Sequence, residues 1–183
     1  MWSDLDRTLD AFRTGDGVPW GDHDGALYCF TGFDTHEGSV DAARANADAA
    51  GLSDRVHFQR ADAKSYPRGG YDLVCFFDVL HDLGDPVGAA RHAYEALADD
   101  GTLMVVEPFA GTLSPRTSGP SGAFYYSGST ALCVPHSLSE EVGLALGAQA
   151  GPARLADVLH EAGFGSVRHA YESPFNIVLE ASR

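Results

Sequence analysis

Basic side chains are scarce in this sequence: 12 lysines and arginines stand against 26 aspartates and glutamates, a formal charge of -14. Such a surface repels the phosphate backbone that dominates nucleic-acid affinity, which argues against nucleic acid as a partner. Cysteine is rarer still. Cys29, Cys75 and Cys133 lie far apart and match neither a disulfide framework nor a zinc pattern, so buried thiols are expected. Long apolar runs are missing as well. The longest, residues 73–77 and 103–106, are far too short to span a bilayer, and the amino terminus lacks a cationic segment followed by an apolar one. The expectation is a cytoplasmic protein with no membrane partner.

What is present suits one folded domain with a real core: 183 residues, 44% hydrophobic and 21% charged. Leu5, Leu9 and Phe12 sit at helical spacing, and glycine, proline and charge over 15–25 then break any regular element. Residues 1–25 therefore read as a helix and linker, and 26–183 as the main α/β domain. Within it, 26–33 reads as a strand closed by Asp34. Ser39 is the expected N-cap of a helix that carries Val40, Ala43 and Ala47 on one face and stops at Gly51. Strands follow at 55–60 and 71–77. Asp85-Pro86 supplies an N-cap and a first-turn proline for a helix expected to run to Asp100-Gly101, before a strand at 102–106.

Residues 109–136, rich in Gly, Ser, Pro and Tyr, show no clear period and read as a loop or lid with one helical piece. Ser137-Leu138-Ser139-Glu140 has capping-box spacing, which places a helix start there. A last helix over 152–162, stopped by Gly163, precedes an antiparallel pair at 167–171 and 175–181. Alternation of strand and helix argues for a parallel sheet covered on both faces. In such sheets ligands bind beyond the carboxyl ends of the strands, which draws attention to Phe77, Asp78 and His81. His81 is suited to proton transfer near neutral pH, but could equally cap the next helix or fill the sheet edge. Asp22-His23-Asp24 and His36-Glu37 are metal-ligand types on loops without further ligands, so no metal is expected.

The order Asp34 at a strand end, Ala61-Asp62-Ala63, Tyr71-Asp72-Leu73-Val74 with Asp78-Val79-Leu80-His81, Glu107-Pro108, Ala162-Gly163-Phe164 and a terminal hairpin resembles the class I S-adenosylmethionine-dependent methyltransferases. Leu80-His81-Asp82-Leu83-Gly84-Asp85-Pro86 and Glu107-Pro108-Phe109-Ala110-Gly111 are similar to a bacterial branch that carries an amino-terminal winged-helix segment. The resemblance covers about residues 30–183. It implies S-adenosylmethionine as cofactor and a small-molecule methyl acceptor.

Residue by residue, the resemblance implies that Asp34 accepts hydrogen bonds from both ribose hydroxyls, unless it only caps the following helix. Asp62 and Ala63 fall where the family reads the adenine amino group, a plain turn being the alternative. Phe77 and Asp78 fall beside the methionine part of the cofactor, where backbone carries the role. Glu107, with Phe124, Tyr125 and Tyr126, would line the acceptor pocket, and aromatics there suit a planar or apolar acceptor. His81 would face the cofactor or act as base, although methyl transfer needs mainly positioning.

One family feature is missing. No apolar strand ends in a carboxylate and glycine-rich turn; residues 14–21 are glycine-rich, but follow a helix, and Pro19 removes an amide donor. The expected architecture is thus a Rossmann-like methyltransferase sheet without its central first strand. Strand 26–33 would then pair directly with 71–77, or a partner chain would supply the strand. Two further readings stay open: a truncated, non-catalytic remnant that self-associates through its open edge, and a nicotinamide-dependent enzyme, which would also want a glycine fingerprint.

Overall fold

The computed structural model describes residues 30–109 and 119–183. The helix and glycine-rich stretch read within 1–25, the strand residues before Phe30, and Cys29 lie outside them. The chain divides into two compact units with the boundary between Tyr66 and Pro67.

The first unit holds β1 (Phe30–Asp34), α1 (Glu37–Ala49) and β2 (Val56–Arg60), with β1 and β2 parallel and Phe30 opposite Val56. The cap of α1 is His36, not Ser39. Its Nδ1 accepts the Ser39 N–H at 3.1 Å, and Asp34 Oδ1 accepts the His36 N–H at 2.7 Å, so the helix starts three residues earlier than the serine suggested. Glu37 is engaged with Arg60, at 3.4 Å. Val40 and Ala47 are the buried face of α1, and Phe33 stacks on Tyr66 at 5.0 Å between ring centroids.

The second unit runs through β3 (Tyr71–Phe77), α2 (Pro86–Ala96), β4 (Leu97–Pro108), α3 (Gly119–Gly128), one π-helical stretch (Ser129–Cys133), α4 (Val134–Ser139), α5 (Gly151–Ala162), β5 (Ser166–Glu172) and β6 (Asn176–Ser182). Its sheet has the order β3-β4-β6-β5, parallel between β3 and β4 and antiparallel elsewhere. Among the described residues β3 has β4 as its strand partner and is otherwise an edge, as expected of a methyltransferase sheet lacking its central first strand; β1 is bonded to β2 in a sheet of its own.

Local signals explain most of these elements. Asp85 Oδ1 accepts the Gly88 N–H at 2.8 Å and Pro86 opens α2. The helix ends at Ala96 rather than Asp100, because Leu97 turns extended (φ -72°, ψ 147°) and already pairs with Tyr71; the register then slips before Leu73 meets Thr102. Alanines 89, 90, 93 and 96 form a small buried stripe on α2, which packs against α5 and its Leu155, Val158, Leu159 and Ala162. Gly163, at φ 119°, takes the left-handed position that ends α5 and turns Phe164 into the core.

Where the sequence offered one helical piece within 109–136, residues 119–139 are helical throughout. One expectation here is overturned. Ser137 and Glu140 cap no helix start: they lie at the end of α4 and reach across the fold, Ser137 Oγ donating to the Leu83 carbonyl at 2.8 Å and Glu140 Oε2 accepting the Gly84 N–H at 2.8 Å.

Candidate functional site

The carboxyl ends of β3 and β4 lie side by side, with Phe77 opposite Val106. The next residue on each strand is therefore polar and adjacent: Asp78 after β3, and Glu107 near the end of β4. Glu107 is 1% exposed, a position a carboxylate holds only with full hydrogen bonding. Its Oε1 accepts the N–H groups of Leu80, at 2.8 Å, and Val79, at 3.3 Å, and its Oε2 binds His81 Nδ1. Glu107 thus serves as the anchor of the turn after β3, beneath His81 and buried from solvent.

His81 is buried at 5% exposure, and its Nε2 stands 3.3 Å from Asp82 Oδ1. Burial alone would lower the imidazole pKa. The hydrogen bond and charge of Glu107, with the charges of Asp82 and Asp78, outweigh it and hold the ring above its ordinary value. The backbone is fixed from the other side by the loop after α4: Gly147 N–H donates to the His81 carbonyl at 3.2 Å and Leu144 N–H to the Gly84 carbonyl at 2.9 Å. That loop holds left-handed residues at Val142, Gly143, Ala145 and Gly147, with φ between 52° and 75°.

Asp78 is left-handed too, at φ 50°, with its N–H on the Val106 carbonyl at 2.8 Å and its carboxylate 3.5 Å from Asn176 Nδ2. Strained residues of this kind concentrate at functional sites. Burial, then the Asp82 charge, raise its carboxyl, while His81 pulls it down. Tyr125 is half-buried, donates to the Phe175 carbonyl at 3.0 Å, and has its phenol pushed up by burial and by Asp78. Phe124 meets Tyr125 edge to face at 5.6 Å, with 75% of its surface exposed. Tyr126 is half-buried, its carbonyl accepting from Thr130 Oγ1. The structure therefore gathers His81, Glu107, Asp78 and Tyr125, and leaves Phe77 half-exposed at the strand end.

Asp34, Asp62 and Ala63 belong to the first unit. Asp34 ends β1, exposed, one oxygen committed to His36. Asp62 follows β2, and its Oδ1 accepts the Lys64 N–H at 2.8 Å while its carbonyl takes Ser65 and Tyr66. Ala63 is half-buried beside it. Both carboxylates are exposed, and carboxylate oxygens are acceptors that fit hydroxyl or amino donors.

Sequence reasoning missed the Glu107–His81 pair, although one lies near the end of β4 and the other follows the adjacent β3, and it missed Cys133. The thiol of Cys133 is pushed up to about 11, by burial first and then by the hydrogen bond and charge of Asp82. No helix among the described residues is long and apolar enough to cross a membrane.

Comparison with known proteins fits this geometry. Residues 23–135, more than half of the chain, match the family model described as a methyltransferase domain. Among solved structures, an O-methyltransferase family protein from Burkholderia thailandensis is 22% identical (TM-score 0.61), with 85% of this chain and 43% of that one covered. NcsB1, an O-methyltransferase from neocarzinostatin biosynthesis in complex with S-adenosyl-L-homocysteine and 1,4-dihydroxy-2-naphthoic acid, is 22% identical (TM-score 0.62), with 84% and 42% covered. SibL, an S-adenosylmethionine-dependent methyltransferase solved in its apo form, is 26% identical (TM-score 0.58), with 85% and 43% covered. The chain spans less than half the length of each of these structures. With the family model matched over more than half of the chain, the chain belongs to the methyltransferase-domain family.

Proposed function

We propose that the chain transfers a methyl group from S-adenosylmethionine to a hydroxyl of a small planar molecule, with His81 as general base. The observation that carries this reading is the buried Glu107 carboxylate on His81 Nδ1, which fixes the ring and its tautomer and leaves Nε2 to receive a proton. S-adenosylmethionine, when bound, supplies an electrophilic methyl group. The methyl group would pass to the acceptor oxygen as its bond to sulfur breaks, S-adenosylhomocysteine leaving, while His81 would take the acceptor's hydroxyl proton at Nε2 and Glu107 would steady the imidazolium. Asp34 would hold the ribose hydroxyls, Asp62 and Ala63 the adenine amino group, and the backbone at Phe77 and Asp78 the amino-acid end. Phe124, Tyr125 and Tyr126 would present aromatic surface to the acceptor. Support for a hydroxyl acceptor comes from the O-methyltransferases of the same fold.

A second reading is favoured by β3, whose strand partner among the described residues is β4 on one side and whose Leu73 is 38% exposed: a non-catalytic form that self-associates through that edge. Incubation of the purified chain with S-adenosylmethionine and a dihydroxynaphthoate, followed by mass spectrometry, separates the two. The first reading predicts a methylated product, with the rate reduced about 10²–10⁴-fold in His81→Gln. Absence of product together with absence of S-adenosylhomocysteine binding would overturn it in favour of the second.

A further inference from the structure

Three side chains that could bind a metal, the proposed base among them, converge after β3. His81 and Asp82 come from the turn after β3, and Cys133 from the π-helical stretch after α3. Their ligand atoms all lie within 4.8 Å of one another, and His81 Nε2 and Asp82 Oδ1 are 3.3 Å apart. We propose that His81 Nε2, Asp82 Oδ1 and Cys133 Sγ form a three-ligand site for a divalent cation of the zinc class.

Geometry supports this first. Zinc holds nitrogen and oxygen at about 2.0–2.2 Å and sulfur at about 2.3 Å in tetrahedral array, so two of its ligands stand roughly 3.3–3.8 Å apart. The His81–Asp82 pair already has that spacing, and the thiol needs to approach by about 1.5 Å at most. Glu107 supplies the second argument. A metal-bound histidine almost always gives its other ring nitrogen to a carboxylate or carbonyl, which orients the ring, and Glu107 occupies that position at Nδ1.

Asp82 supplies the third. Its Oδ1 is buried, 3.3 Å from His81 Nε2, and the donor that reaches its carboxylate is the Cys133 thiol, a weak one that a cation would displace. The donor set of one imidazole, one carboxylate and one thiolate suits zinc rather than calcium or magnesium, which prefer oxygen alone. Three protein ligands leave the fourth position for water or a substrate oxygen. The site stands on these contacts and not on the methyltransferase reading. It does bear on that reading, because a cation at Nε2 occupies the lone pair assigned to the acceptor proton, so metal binding and base catalysis exclude each other.

Cobalt titration of the purified full chain tests the site, because cobalt bound to a thiolate gives a near-ultraviolet charge-transfer band that other ligands do not. The expected result is a band that saturates at one equivalent, disappears when zinc is added, is lost in Cys133→Ser, persists in Cys75→Ser, and needs at least about tenfold more cobalt in Asp82→Asn. No band in the wild-type chain, or a band that survives Cys133→Ser, overturns the proposal. A measurement without variants guards against misfolding of the serine form: zinc must slow maleimide labelling of Cys133, read by peptide mass, more than that of Cys75. Equal labelling with and without zinc overturns the site just as directly. Neither readout depends on methyl transfer, so loss of activity alone leaves this result standing.

Discussion

Glu107→Gln isolates the charge beneath His81 while keeping the side-chain volume. Glu107 accepts from Val79 N–H, Leu80 N–H and His81 Nδ1. Hydrogen bonds to a charged group are worth about 1.5–3 kcal/mol and neutral ones about 0.5–1.5 kcal/mol, so three exchanges would cost about 3 kcal/mol taken singly. Removing a buried charge returns part of that, and the net expected loss is about 1–2 kcal/mol. Glu107→Ala is a harsher change, leaving three donors without an acceptor in a site where Leu80 is fully buried; at about 1–3 kcal/mol for each, it should cost well over 3 kcal/mol. The glutamine variant carries a further signature. With its folded-state pKa raised, His81 contributes stability that is fully present below its unfolded pKa of about 6.5 and is lost as pH rises through the folded value. The stability gap between wild type and Glu107→Gln should therefore be widest in acid and narrow as His81 deprotonates. Urea denaturation across that range, with the His81 ring proton followed by NMR, reads both effects. An unchanged His81 titration midpoint in Glu107→Gln would refute the coupling.

Three further outcomes are expected. Gly147→Ala places a Cβ 2.3 Å from Ser129 Oγ at a φ of 71°, so it should lose about 1–3 kcal/mol in urea denaturation and loosen the loop that binds the His81 carbonyl; wild-type stability would contradict the close packing there. Asp85→Ala should lose roughly 1 kcal/mol through its N-cap bond to Gly88, a loss that Asp85→Asn should largely avoid in the same assay. Asp34→Ala should weaken S-adenosylhomocysteine binding at least about tenfold in calorimetry, the value of a charge-assisted hydrogen bond, and equal affinity would remove Asp34 from the nucleoside.

The parts of the fold that could be read in the sequence are those set by local chemistry. β3 ends where the apolar run ends, Asp85-Pro86 starts α2, and Gly163 stops α5, because each signal acts within a turn of its own position. Ser39 misled because His36 offers a competing acceptor three residues before it, which a serine-first rule overlooks. The helices over 119–139 were hidden because Phe124, Leu132 and Leu138 all face outward, 61% or more exposed, so no apolar stripe of helical period exists to be seen. Ser137 and Glu140 have the spacing of a capping box, yet their bonds go to Leu83 and Gly84, more than fifty residues earlier. For the site, β3 delivered Asp78 and His81 as sequence reasoning expected. The partner of His81 was set by the register of β3 on β4, and Cys133 by tertiary packing; neither is encoded by local spacing.

The central claim is that this chain binds the cofactor of its family. A thermal melt of the purified chain with and without S-adenosylhomocysteine tests it most directly, because a ligand that binds only the folded state must raise the midpoint. At a ligand concentration about 100 times Kd the stabilisation is about 2.7 kcal/mol, which for a chain of this length corresponds to a rise of roughly 5–11 °C. The account predicts a single cooperative transition shifted upward by that amount. A cooperative transition at the same temperature with and without the ligand would contradict it.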